Sequence, residues 1–223
     1  MRITELFANG EFVVTAEVGP PKGIHVDHLV EEAKTYLSGI TAVNVTDNQS
    51  SVMRMGSLPA CVALHNAGLT PILQLTCRDR NRIALQSELL GAAMLGIENI
   101  LCLTGDHTKM GDHPGAKPVF DLDSVSLLHT VCQLEKGVDL GGQPLVGEPP
   151  KFAKGAVVSP CSDSVMHSLP RWSARLWPVR SISRLRLCLT LRSSSSSWKR
   201  QSSLANPCSL ALSSPSLQVW QSL

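Results

Sequence analysis

The chain has 223 residues, 20 Lys/Arg against 18 Asp/Glu, a formal charge of +2 and 43% hydrophobic residues. That length and apolar content suit one packed domain, and so small a charge gives no electrostatic footprint for nucleic acid. The charge is unevenly spread: residues 164–223 hold eight Lys/Arg and no acid, which leaves 12 basic and all 18 acidic residues ahead of them, a net −6. Cysteines at 61, 77, 102, 132, 161, 188 and 208 form no CxxC pair and no zinc spacing, so a reducing compartment and no metal are expected. Arg2 and Glu5 stand where a signal peptide needs an apolar stretch, and no window reaches membrane-spanning length. The expected location is cytoplasmic, with no membrane partner.

From the N-terminus, EFVVTAEV, TAVNVTD, TPILQLT, NILCLTGD and KGAVVSP read as strands, short and rich in Val, Ile or Thr. Between them HLVEEAKTYL, SLPACVALHNAG and NRIALQSELLGAAMLG have apolar residues recurring at three and four. In the last of these Leu85, Leu89, Leu90, Ala93 and Met94 are expected on one face, with Gly96 as the stop. Apolar strands alternating with helices predict an α/β fold with parallel pairing. An open doubly wound sheet and a (β/α)8 TIM barrel both satisfy this pattern. Polar residues cluster directly after the strands (Glu17, Thr46 and Asp47, Gln74 and Thr76, Thr104 to Asp106, Ser159), as in a barrel whose site is assembled from several loops. No GxGxxG follows the first strand, which argues against a Rossmann dinucleotide site. The barrel is the favoured reading.

After Asp163 the composition breaks. Residues 164–223 contain no Gly, Asp, Glu, Phe or Tyr, yet hold all four Trp and 17 Ser, including Ser193–Ser197. The expected division is a partial barrel over 1–163, its first five βα units, followed by a disordered basic tail over 164–223.

Three places carry candidate chemistry. Glu17, in TAEVGPPKG, ends the first strand before a stiff Pro-Pro turn. A carboxyl group at an apolar barrel mouth can keep its proton near neutrality and act as a general acid; an exposed strand-end Glu is the competing reading. Asp106, in LCLTGDH, could accept hydrogen bonds from a heterocycle, or simply serve a turn after Gly105. Residues 107–121 form a long loop in which His107, Asp112 and His113 can be drawn as metal ligands, but without a helical register. A lid over the mouth suits that loop better.

TAEVGPPKG, NVTDNQSSVMRM, LQLTCRDRNRIALQSELLGAAMLGIENILCLTGD, GDHPGAKPVFDLDSVSLL and GAVVSPCSD together resemble methylenetetrahydrofolate reductase, in the branch with NVTDN and LTCRDRN. The resemblance implies a (β/α)8 barrel holding FAD, with FMN as the alternative, and NADH or NADPH as reductant of methylenetetrahydrofolate. It implies that Glu17 is the proton donor to folate N10 and that Asp106 meets both flavin and pterin. Thr46, Gln74, Thr104, Gly105, Asp121, Ser159 and Asp163 match flavin contacts. Departures from the commoner family pattern include Asp47 for a Tyr, Gln74 for a His and Thr104 for an Arg. A homo-oligomer or a methyltransferase partner would be consistent with that branch.

The tail also fits a shifted reading frame. MHSLPRWS can regroup to DAQLAKME, VRSISRLRLCLT to GAQYFQTQAVFD and QSSLANPCSLAL to AKLVGKPVLAGI, which resemble later segments of the same family in order. Two readings from other classes stand beside the flavoenzyme. One is an inactive truncated barrel serving at most as a folate-binding or interaction remnant. The other is a lyase or aldolase using Glu17, against which stands the lack of any Lys at a strand end.

Overall fold

The computed structural model describes residues 1–37, 39–158, 188–191, 210–214 and 217–221. Helix α1 (Ile3–Ala8) is followed by β1 (Val13–Val18), α2 (Asp27–Tyr36), β2 (Ala42–Val45), α3 (Ser57–Asn66), β3 (Pro71–Thr76), α4 (Arg82–Met94), β4 (Asn99–Leu103), α5 (Ser124–Glu135) and β5 (Ala153–Val158). Single 3-10 turns at Gln49–Ser51 and Thr108–Met110 interrupt the loops after β2 and β4. Strands β1 to β5 pair in parallel and in sequence order, forming a curled half-barrel with helices packed against it. Every residue of β2 and β3 is buried, as expected of parallel strands covered on both faces.

Helix α4 shows how local sequence sets the frame. Asn81 Oδ1 accepts from the backbone N–H of Ile83 and Ala84 at 3.1 and 3.0 Å, a cap worth about 1 kcal/mol. Gly96, at φ +78°, supplies the left-handed residue just past the helix end. The buried face is Leu85, Leu89 and Ala92. Leu90 and Met94, expected there, are exposed, because at 3.6 residues per turn they lie roughly 140° and 180° around from Leu85. Helix α5 was not among the helices read from sequence. Its signals are Asp123, whose Oδ1 caps Ser126 N at 2.8 Å, and a buried row of Leu127, Val131 and Leu134 at helical spacing.

Two apolar clusters sit on either side of the sheet. The larger joins the inner faces of α2 to α5 to the outward residues of the strands, among them Val43, Val45, Leu73, Leu75 and Cys102. The smaller gathers Ile3, Leu6 and Phe7 of α1 against Val13, Ala42, Ile72, Leu101 and Ala153, near the strands' N-terminal ends. Helix α1 therefore stops the end of the barrel away from the βα loops.

An open edge after β5 follows from the sequence. In the structure the backbone continues the sheet with β6 (Cys188–Leu191), β7 (Leu210–Ser214) and β8 (Leu217–Gln221), and the ring closes. Strands β6 and β7 are parallel to β5, while β8 is antiparallel to both β7 and β1. Only two residues separate β7 from β8, too few for the crossover that a parallel pair requires, so a hairpin is forced. The boundary at 163/164, with Ser159 and Asp163, lies outside the described residues. Among the described residues no helix is long and apolar enough to cross a membrane.

Candidate active site at the barrel mouth

The parallel register brings the C-terminal ends of β1 to β4 to one rim. Glu17 lies beside Asn44 in the pairing of β1 with β2. Both of its oxygens accept amide hydrogen bonds, Oε1 from Gln49 Nε2 at 3.3 Å and Oε2 from Gln74 Nε2 at 3.1 Å. The three side chains come from the end of β1, the loop after β2 and the interior of β3. Gln74 is 7% exposed, so its amide reaches Glu17 from within the barrel.

Asp47 organises the next part of the rim. Its side chain is fully buried and accepts from Thr76 N, Thr76 Oγ1 and both terminal nitrogens of Arg80. Arg80 reaches on to Glu88 of α4 at 3.6 Å. The acid therefore serves as a rigid tie between β2, β3 and α4. Thr46 beside it is buried, and its hydroxyl makes no hydrogen bond among the described residues. A Cβ placed on Gly19 would approach that hydroxyl to 3.6 Å.

At the end of β4, Gly105 has φ +91°, and an added Cβ would lie 3.1 Å from the Cβ atoms of both Thr76 and Arg78. Backbone conformation and close approach both require glycine there. Asp106 follows with an exposed side chain, and its backbone oxygen accepts from Ser51 Oγ at 2.9 Å. Thr104 Oγ1 accepts from Ser124 N at 3.1 Å and so helps to start α5.

The loop over 107–121 is braced at several points. Asp112 accepts from Lys22 Nζ at 2.5 Å and Met53 N at 3.0 Å, with His113 Nδ1 2.8 Å away, and these partners hold its carboxyl well below the usual carboxylate range. Asp121 is engaged by Arg82 through its side chain and backbone N–H, which holds the Asp121 carboxyl at about 2. Among the described residues no three His, Cys, Asp or Glu side chains converge as metal ligands would. Cys77, directly after β3, has its thiol pushed up to about 12 by burial first and nearby acids second, which leaves it a poor nucleophile.

A family model for methylenetetrahydrofolate reductase matches residues 2–139, more than half of the chain. The chain belongs to the methylenetetrahydrofolate reductase family. No curated protein matches it. The matched stretch carries Glu17, Thr46, Gln74, Thr104, Gly105, Asp106 and Asp121, and membership puts the chain among reductases of folate-linked one-carbon metabolism.

Within this methylenetetrahydrofolate reductase barrel the expected residues separate by their surroundings. Glu17 and Gln74 are joined directly; Thr46 and Gly105 stand at close approaches of backbone and side chain; Asp121 has its oxygens engaged by Arg82. Gln49, Ser51 and Arg78 were not singled out from sequence. Ser51 Oγ accepts from Arg78 NH1 at 3.1 Å and donates toward the carbonyls of Asp106 and His107. The signal that could have found Gln49 and Ser51 is the polar run Asn48–Ser51 directly after a buried strand, in a fold whose sites lie on such loops.

Proposed function

We propose that the barrel mouth reduces 5,10-methylenetetrahydrofolate to 5-methyltetrahydrofolate with NADH or NADPH as the source of electrons and FAD as bound flavin. The observation that carries this reading is the placement of Glu17 at the end of β1, with each carboxylate oxygen fixed by one side-chain amide. A group held so, rather than free in water, can present a proton to one chosen atom of a substrate. The atom is folate N10, whose protonation opens the methylene bridge to an iminium carbon that accepts hydride.

The chain's own residues suit a flavin in three respects. Thr46 offers a buried hydroxyl with no partner among the described residues. Gly105, at φ +91° and packed against Thr76 and Arg78, sets the backbone turn that carries Asp106 to the rim. Asp106 presents an exposed carboxylate free of hydrogen bonds and ion pairs among the described residues, suited to N–H groups of a flavin or pterin ring. A bound flavin supplies the two-electron carrier between nicotinamide and folate. Thr104, Gln74 and Asp121 complete the proposed flavin-side set, with Ser159 and Asp163 beyond the described residues, and FMN remains the alternative flavin. The same reading puts the protein in the cytoplasm, as a homo-oligomer or beside a methyltransferase.

The purified 223-residue chain, mixed with FAD or FMN, should show a flavin visible spectrum that bleaches with NADH or NADPH and returns with methylenetetrahydrofolate. Protein that stays colourless with either flavin would sink the flavoenzyme reading. The antiparallel closure by β8 favours a second one, an inactive barrel remnant that binds folate without reducing it. Folate binding with no flavin uptake would support that alternative.

A further inference from the structure

We propose that Gln49 is a positioning residue for Glu17, holding its carboxyl plane across from Gln74; the proposal rests on the reading of Glu17 as proton donor. Gln49 Nε2 lies 3.3 Å from Glu17 Oε1, while Gln74 Nε2 lies 3.1 Å from Oε2. Each oxygen thus has its own amide. A primary amide carries N–H donors and a carbonyl acceptor at the same end of the side chain. Rotation of either amide lets it donate to ionised Glu17 or accept from the protonated acid. The carboxyl group can then keep one orientation through loss and recovery of a proton.

Gln49 is exposed, and an exposed glutamine ordinarily has water for a partner. What aims it is its backbone. Asn48, Ser50 and Ser51 have φ of +47°, +55° and +59°, left-handed values that residues with a Cβ adopt at a cost. Such a run persists only where its surroundings over-determine it, and here they do. Arg54 N donates to Asn48 Oδ1 at 2.9 Å, and Ser51 N donates to Asn48 O at 2.9 Å. Ser51 Oγ lies 2.9 and 3.1 Å from the carbonyls of Asp106 and His107, and accepts from Arg78 NH1 at 3.1 Å. A Cβ on Gly111 would fall 1.8 Å from Ser51 O, so the loop after β4 presses directly on this turn. The Asn48–Ser51 turn is therefore clamped between the two carboxylates assigned to chemistry, with Gln49 turned to Glu17 and Ser51 to the backbone of Asp106.

The side-chain amide of Gln49 reports on this contact without any turnover. In the full 223-residue chain its 15N–1H resonances should shift, and exchange faster with water, on Glu17→Ala substitution, with Gln74 responding in the same way. Gln49 resonances indifferent to Glu17→Ala, or a chain too disordered to show them dispersed, would overturn the proposal. The second measurement is folate half-reaction rate in a double-mutant cycle. Gln49→Met, similar in length but without a donor or acceptor amide, should slow it about tenfold in the parent chain and hardly at all in Glu17→Gln. Equal losses in both backgrounds would show a role independent of Glu17 and end the proposal. If Glu17→Gln alone leaves folate reduction intact, the proposed reaction fails, while the amide resonances still decide the contact.

Discussion

Asp47 Oδ2 lies 2.7 Å from Arg80 NH1 and its Oδ1 lies 3.2 Å from NH2, so the end of β2 is tied to the loop after β3 by a two-point ion pair. The acid is fully buried and Arg80 is 16% exposed, so truncating Asp47 strands a cation inside the rim. Asp47→Ala is expected to lower stability by about 3–5 kcal/mol, the range for breaking a buried pair from one side. Denaturant unfolding measures it. A loss below about 1 kcal/mol would rank the pair with surface bridges.

Glu17→Gln separates the two half-reactions. Only the opening of the methylene bridge needs a proton at N10, so reduction of flavin by nicotinamide should stay near normal. Folate reduction should slow by at least about a hundredfold, the lower range for general acid catalysis. Stopped-flow absorbance resolves the two. Equal slowing of both would give Glu17 a structural role.

Asp121 makes a prediction about acid. Arg82 holds its carboxyl at about 2, below the 3.8 of an unperturbed aspartate. The folded chain therefore takes up this proton less readily than the unfolded chain, and the unfolded state binds more protons between those values. Stability from the pair is present above about pH 4 and is lost as pH falls toward 2. Asp121→Asn should flatten the slope of melting temperature against pH in that window, and an unchanged slope would show that the exposed pair contributes nothing measurable.

The seam after β5 is the barrel's weak place. Strand β5 meets β6 through two residue pairs, Val157 with Cys188 and Val158 with Leu189, whereas β3 and β4 share four. If roughly 200 Å² of apolar surface stays wet there, the loss is about 5 kcal/mol at 25 cal/mol per Å², the whole stability of a weak domain. The 223-residue chain is expected to melt at a lower temperature, and to bind flavin more weakly, than a chain whose tail is translated in the regrouped frame. Equal melting temperatures and equal flavin affinities in the two would show that β6 to β8 complete a working barrel.

Strands β1 to β5 were legible because buried parallel strands are short runs of β-branched residues, and the repetition of such runs with helices has few solutions. The three strands of the tail were not, because basic, serine-rich composition carries no alternation to mark a strand. Leu90 and Met94 misled, since an apolar residue on a helix signals burial only through its angle around the axis. Glu17 and Asp106 stood out as acids at strand ends. Gln49 did not, because its aim depends on left-handed backbone at Asn48, Ser50 and Ser51, and that is fixed by Arg54, Arg78 and the carbonyls of Asp106 and His107. The sequence around Gln49 holds none of the tertiary partners except Arg54.

Helix α1, with Ile3, Leu6 and Phe7 seated among Val13, Ala42, Ile72, Leu101 and Ala153, seals the strands' N-terminal ends, so among the described residues the barrel has a single door, at the βα loops. Under the proposed reaction nicotinamide and folate both use that door, and reactants whose places overlap there must take turns. Steady-state rates measured against one reactant at several fixed levels of the other should then give parallel lines in double-reciprocal form. An excess of either reactant should slow the reaction by occupying the doorway, and the inhibition should be relieved by raising the other.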